Sequence, residues 1–372
     1  MAEAKIEDVY LRLGRRIGWF ENSKTTPKIF KHLLTLEQAQ LADAFPGVPE
    51  ELAAKLGRDL ESVKKDLQYM YRVGVGTPSA GSRKWNLPRN YMLFVDKICT
   101  HHRNAATPFR DLLHEVDEEW QQERMKIDEE ERRKLTSMGE FGTRIIPAYT
   151  AVKDKSELQP WESMKAILQM ASRIAVVDCP CRMRAEDKSI CQMPGVTETC
   201  FLLNRDADYA VDSGSASKYI TVDEAMKLVE RMEKVGMIHN ATNIRGIVSL
   251  LCNCCIDHCI AMRRFYSEGK SRYMRHPSRY LPVVNPEFCV GCGVCVERCF
   301  FDAVTRKRDS AGELKAVVDP ELCMGCGSCV VGCPHGAMDM ECVKPEEYVP
   351  KGMGTRPSEV RTEPTYEKYL KL

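Results

Sequence analysis

The chain lacks the features that would place it in a membrane, in an export pathway or on a nucleotide. No uninterrupted apolar run in its 372 residues approaches the ~20 that a membrane helix needs. The opening Met1–Asp8 carries no apolar h-region, and Arg15-Arg16 is followed by Ile-Gly-Trp-Phe-Glu, which argues against twin-arginine export. The formal net charge is only +1, so there is no global attraction toward nucleic acid or anionic lipid. Also missing are a Gly-x-Gly-x-x-Gly loop after a strand, a Walker A loop and a His-Glu-x-x-His helix. Hydride and phosphoryl chemistry therefore have no visible seat, and any catalysis would fall to a cysteine-rich middle region or to a partner subunit.

Cysteine is abundant. Eighteen thiols stand in a chain too long and too charged to be a small disulfide-stapled secreted domain, which points to a reducing, intracellular setting. Eight of them fall in two copies of one pattern. The first is Asn285-Pro286-Glu287-Phe288-Cys289-x-x-Cys292-x-x-Cys295-x-x-x-Cys299, and the second is Asp319-Pro320-Glu321-Leu322-Cys323-x-x-Cys326-x-x-Cys329-x-x-x-Cys333-Pro334. Three thiolates at two-residue gaps with a fourth three residues on is the run that holds iron–sulfur clusters. Gly291, Gly293, Gly325 and Gly327 let the backbone turn tightly within it. Zinc prefers paired Cys-x-x-Cys knuckles and would leave the third and fourth cysteines of each run unexplained. Between the runs, Val304–Val318 predicts a hairpin around Asp309-Ser310-Ala311-Gly312, with Arg306-Lys307-Arg308 either solvated or a docking patch for an acidic partner.

Over about 285–342 the chain resembles a two-cluster bacterial ferredoxin. In that family the fourth cysteine of each run crosses to the other cluster. The resemblance implies one [4Fe-4S] cluster on Cys289, Cys292, Cys295 and Cys333, and another on Cys323, Cys326, Cys329 and Cys299. It also implies that the two lie within electron-transfer distance and that neither half folds alone. Phe300 departs from the family's proline after the fourth cysteine, whereas Pro334 keeps it; that residue shapes a turn and donates no ligand. Clusters of this kind suffer from oxygen, so the cytoplasm of an anaerobe is the expected location.

Residues 1–100 form a separate unit. Leu52–Leu56 and then Val63, Leu67 and Met70 carry helical spacing on two helices joined at Gly57-Arg58-Asp59, with Asp59 as the cap of the second. Val73–Gly76 and Arg83–Leu87 follow as two short strands, and the whole resembles a winged helix in outline. The start of the second helix is acidic (Asp59, Glu61, Asp66), where a base-reading helix would be basic, which argues against nucleic acid. Residues 101–142 predict a charged helical connector, helical over 110–138. His101, His102 and His114 stand apart from the cysteines. The tail, 343–372, with its prolines and Tyr348, Tyr366 and Tyr369, is expected to be extended and to wrap over the protein or over a neighbouring subunit of a hetero- or homo-oligomer.

The middle region, 143–280, predicts a helix from Pro160 to about Ser172, a buried strand Ile174–Val177 ending in Asp178-Cys179-Pro180-Cys181-Arg182, and a loop with Cys191 and Cys200. A capped helix follows over 222–235 (Thr221, Glu224, Gly236), then a strand Ile247–Leu251 running into Cys252-Asn253-Cys254-Cys255-Ile256-Asp257-His258-Cys259. Strands separated by helices, each ending in cysteines, predict an α/β domain with its chemistry at the strand ends. Over about 143–265, including Ile145-Ile146-Pro147 and Glu198-Thr199-Cys200-Phe201, the region resembles the Cys-x-Cys-Arg…Cys-Asn-Cys-Cys domain of ferredoxin-like proteins of anaerobic bacteria and archaea. The resemblance implies a metal or redox centre. Cys179, Cys181, Cys191, Cys200, Cys252, Cys254, Cys255 and Cys259 are the candidates for a third iron–sulfur cluster, with zinc or unliganded thiols as the alternatives. His258 is a ligand or a supporting group, and Arg182 a neighbouring positive charge or a salt-bridged residue. Cys99 and Cys342 lie outside every run.

The fold expected is thus α+β: a winged-helix-like unit, an α/β cysteine-rich domain and, over 281–342, a two-cluster ferredoxin domain. The function expected is relay of single electrons to or from a partner oxidoreductase. A redox-responsive DNA-binding regulator, and an enzyme using the middle domain on a small molecule, are the alternatives.

Overall fold

The computed structural model describes residues 2–17, 23–79, 82–88, 91–101, 107–125, 143–184, 198–259, 262 and 275–351. Its architecture is mixed α and β, and among these residues no helix is long and apolar enough to cross a membrane.

The N-terminal unit packs the helices Ala2–Arg16, Thr26–Leu33, Leu36–Asp43, Pro49–Leu56, Leu60–Arg72, Tyr91–His101 and Thr107–Met125 around one apolar core. Gly57 ends Pro49–Leu56 in the left-handed conformation, and the Asp59 carboxylate accepts from the Ser62 backbone N–H at 2.9 Å to start the next helix. Strands β1 (Thr77–Pro78) and β2 (Trp85–Asn86) pair antiparallel. The first strand expected at Val73–Gly76 lies later, because those residues close the preceding helix: the Val75 N–H returns to the Met70 carbonyl at 2.9 Å. Along Leu60–Arg72, Glu61 is paired with Lys64 and Asp66 with Arg58. The connector is helical over 107–125, and the rest of its predicted helix lies outside the described residues.

The middle region is a seven-stranded sheet: β3 (Thr143–Ile146), β4 (Ile174–Asp178), β5 (Glu198–Leu203), β6 (Tyr219–Ile220), β7 (Ile238–Thr242), β8 (Leu250–Cys254) and β9 (Arg275–His276), in the spatial order β6-β4-β5-β8-β7-β3-β9. Every neighbouring pair is antiparallel except β3 and β9. This corrects the α/β expectation, for an α/β sheet is mainly parallel. The helix between β4 and β8 in sequence does not cross over to join them, because β5 lies between them in the sheet. Being each antiparallel to β5, β4 and β8 nevertheless run the same way and end on the same edge.

Strand alternation divides this sheet into two faces. Val176, Phe201, Leu251 and Ala241 are cross-strand partners and pack against the helices Met164–Met170 and Val222–Lys234. Val177, Cys200, Cys252 and Asn240 form the next row and point the other way. That face is covered by Ala207 and Ala210 of the helix Arg205–Asp212 and by the C-terminal unit.

The C-terminal unit pairs β10 (Tyr280–Val284) with a later strand, β13 (Met338–Cys342), and holds the hairpin β11 (Val304–Arg308) and β12 (Leu314–Val318), its turn made at Gly312. Each cysteine run turns through a short helix, Val294–Glu297 or Ser328–Val331. The unit is fastened to the middle sheet: the Ala148 N–H donates to the Cys326 carbonyl at 2.9 Å and the Ser278 N–H to the Met324 carbonyl at 3.0 Å. After β13 the chain returns to the middle domain, where Arg245 donates from its backbone N–H to the Pro350 carbonyl and from Nε to the Val349 carbonyl. Tyr366 and Tyr369 lie outside the described residues.

Candidate metal centres

Each repeated run turns through a short helix, and the last thiol of each lies beside the other run. Cys289, Cys292, Cys295 and Cys333 line one cavity, closed by Arg306 and Ala337. Cys299 joins the other run: Cys323 and Cys299 are electrostatic neighbours of Cys326, whose thiol burial pushes up to about 12, and Cys329 feels Cys326, Cys323 and Cys299. Both sets receive backbone donors at sulfur, with Ala303 and Ala337 in equivalent places. Backbone N–H groups of Ala316 and Ala337 donate to the sulfurs of Cys289 and Cys333 at 3.4 and 3.3 Å. In the second set Gly325 and Ala303 donate to Cys323 and Cys299, both at 3.3 Å. Such donors favour the thiolate, the form that binds metal. Four soft sulfurs around one space, with amide hydrogens aimed at them, fit a four-iron cluster in each set.

The sets differ in surroundings. Cys292 is exposed, and Phe288, Val290 and Leu314 around the first run are 58%, 62% and 37% exposed. The hairpin folds over this set: Arg306 donates to the Gly291 carbonyl at 3.1 Å and Lys315 Nζ to the Cys289 carbonyl at 2.9 Å. Arg306, Lys307 and Arg308 are all exposed, and Arg308 donates to the Gly312 carbonyl at 2.6 Å. The second set instead faces the middle domain. Cys299, Cys323 and Cys326 pack against one apolar core with Phe300, Phe301, Cys254 and Cys259. Phe300, in place of the family's proline, thus fills the seam between domains.

Across that seam six middle-domain thiols meet. Cys200 on β5 and Cys252 on β8 are direct cross-strand partners, and Cys254 lies two residues on along the same face. Cys179 ends β4, and Cys181 sits in the helix Pro180–Arg184. Hydrogen-bonding contacts run from Cys181 to Cys179, then to Cys200, Cys252, Cys254 and Cys259, and back to Cys181. Cys200, which sequence placed in a loop, is therefore a strand residue at the centre of the group. Cys252, accepting from both Cys200 and Cys254, is held down at about 6, while burial and the neighbouring thiols raise Cys254. Asn240 Nδ2 donates to the Cys254 sulfur at 3.4 Å, and Arg275 holds the Asn240 carbonyl oxygen.

Cys255 is not in this group. It points to Asp257 and Arg182, burial raises its pKa to about 11, and its sulfur lies within 4.8 Å of the ligand atoms of Asp257 and His258. Arg182 thus neighbours Cys255, and it also reaches Met237 Sδ at 3.9 Å. Cys191 lies outside the described residues. Cys99 is buried in the N-terminal core, and Cys342 accepts from Arg279 at 2.9 Å.

Sequence reasoning missed Asn240 and Arg298. Arg298, between Cys295 and Cys299, donates to the carbonyls of Ser328, Lys234 and Glu233 at 2.9, 3.0 and 2.8 Å, which joins both runs to the end of the helix Val222–Lys234. Neither residue announces itself in a motif, because each acts on a partner distant in sequence.

No curated protein and no solved structure matches the chain. Residues 288–337 match the family of 4Fe-4S dicluster domains, so the C-terminal unit is an iron–sulfur domain of the ferredoxin type.

Proposed function

We propose that this protein relays single electrons through two [4Fe-4S] clusters, with a third iron–sulfur centre in the middle domain, to or from a partner oxidoreductase. One cluster is held by Cys289, Cys292, Cys295 and Cys333, the other by Cys323, Cys326, Cys329 and Cys299. When bound, each supplies a one-electron couple whose potential follows charge, hydrogen bonds to sulfur and exposure. The observation that carries the reading is the exchange of thiols, Cys333 standing in the first run's cavity and Cys299 beside the second run's cysteines.

The side chains give the relay a direction in space. Exposed Phe288, Val290 and Leu314 surround Cys292 and form an apolar edge at which a redox partner can approach the first set. The second set is shielded by Phe300 and Phe301 and faces inward. The amide donors to Cys289, Cys299, Cys323 and Cys333 stabilise negative charge on both sets.

Anaerobic iron and sulfide analysis of the purified full chain tests this. The expected content is about eight of each per chain, rising to about twelve with the middle-domain centre. Four or fewer in a well-folded chain would overturn the proposal.

A further inference from the structure

The six-thiol ring at the common edge of β4, β5 and β8 is more than a group of buried cysteines. Its members come from three separate stretches of chain, yet each touches two others, and the circuit closes with no other residue type in it. Cys179, Cys200, Cys254 and Cys259 are 6%, 6%, 6% and 3% exposed, so the sulfurs face one another in the interior. An apolar core needs no such arrangement, since alanine or valine would fill it without a weak and reactive donor. The amide of Asn240, aimed at Cys254 and itself held by Arg275, is a polar donor placed against one of these sulfurs.

Soft thiolates select zinc, copper(I) or iron–sulfur clusters. A structural zinc ion takes four ligands in a closed tetrahedron, and a four-iron cluster likewise takes one thiolate per iron, so the number of thiols alone does not choose between them. Location separates the remaining choices. Cys181, Cys252, Cys254 and Cys259 of the ring share one apolar core with Cys299, Cys323 and Cys326 of the second ferredoxin set, among Ile145, Ile238, Phe300, Phe301 and Met324. A one-electron centre there would stand next in line after that set.

We propose that the ring of Cys179, Cys181, Cys200, Cys252, Cys254 and Cys259 supplies the ligands of one polynuclear iron–sulfur centre, seated against the second ferredoxin set and excluding Cys255 and His258. The inference rests on the relay reading above and narrows it from eight candidate cysteines to six. It makes this ring the inner terminus of the relay, where an electron lost by the second set is gained by the ring centre, and the Cys292 edge the outer one.

The test uses the full chain prepared without oxygen, comparing wild type with C200S/C252S and with C255S. Serine keeps the shape of cysteine but not the soft thiolate. Iron, sulfide and zinc are counted, and the reduced proteins are examined by electron paramagnetic resonance. The expected result is loss of about four irons from C200S/C252S, retention of the ferredoxin signals, and loss of the broadening that a neighbouring paramagnet imposes on the second set. C255S is expected to keep its full iron. Unchanged iron in C200S/C252S, a fall in zinc instead, or equal iron loss in C255S would each overturn the assignment. Should the double variant not fold, the wild type decides: about twelve irons support the ring and about eight overturn it, whereas four or fewer overturn the relay itself.

Discussion

Gly325 has no room for a methyl group. Its φ is +66°, and a Cβ there would lie 2.2 Å from the Tyr280 carbonyl oxygen and 2.3 Å from Ser278 Oγ. Both neighbours belong to the stretch that docks the second run: the Ser278 N–H binds the Met324 carbonyl and Ser278 Oγ the Gly325 carbonyl. Gly336, at φ +59°, has nothing within 4 Å of the same point. G336A is therefore expected to lower stability by roughly 1–2 kcal/mol, the ordinary left-handed penalty, and to keep its iron. G325A is expected to displace backbone and to lose the iron of the second set. Parallel thermal melts and iron counts check the pair; equal behaviour would show that local conformation, not docking, requires the glycine. At this scale the sequence was informative about ligand types but silent about direction. Cys254 and Cys255 are adjacent and so point apart, but the fold is needed to show that Cys254, the last residue of β8, faces the ring while Cys255, just past the strand, turns to Asp257 and Arg182.

Among elements, the short pieces with local signals were legible from sequence. The Thr221–Glu224 capping box, the hairpin of β11 and β12 and the strand ending at Asp178 stand where capping, turn and apolar patterns put them. Sheet order was not legible, because pairing of β5 between β4 and β8 joins stretches separated by a helix, and no local pattern encodes it. The exchange of thiols between the cysteine runs is an element-level property and gives a direct prediction. C333S is expected to alter the cluster of Cys289, Cys292 and Cys295, leaving a remnant of about three irons there, while the set on Cys323, Cys326, Cys329 and Cys299 keeps its spectrum. Damage confined to the latter set, seen by paramagnetic resonance, would refute the ligand assignment.

For the whole molecule, Arg298 is the tie between units. Its guanidinium spans three carbonyls, two of them at the C-terminal end of the helix Val222–Lys234, where a cation is also favoured by the helix dipole. Gly332 makes room for it, since a Cβ at that position would lie 2.1 Å from Arg298 Cδ. R298M should free those carbonyls and weaken the seam by about 1–3 kcal/mol. The measurement is amide hydrogen exchange: faster exchange is expected in the last turn of that helix and in 326–332, and unchanged protection there would show that apolar packing alone holds the units together. Because several separate apolar cores contribute to stability, local exchange is a better readout than a single unfolding midpoint.

The exchange of the last thiol also sets an order of manufacture. A growing chain that has reached Cys259 already contains all six sulfurs of the ring, whereas the second ferredoxin set is complete only at Cys329 and the first only at Cys333. The first run, finished at Cys299, must wait through the whole β11–β12 hairpin and the second run for its fourth sulfur. The run that starts first is thus loadable last, and a message broken between the codons of Cys329 and Cys333 yields a chain able to load the second set and not the first.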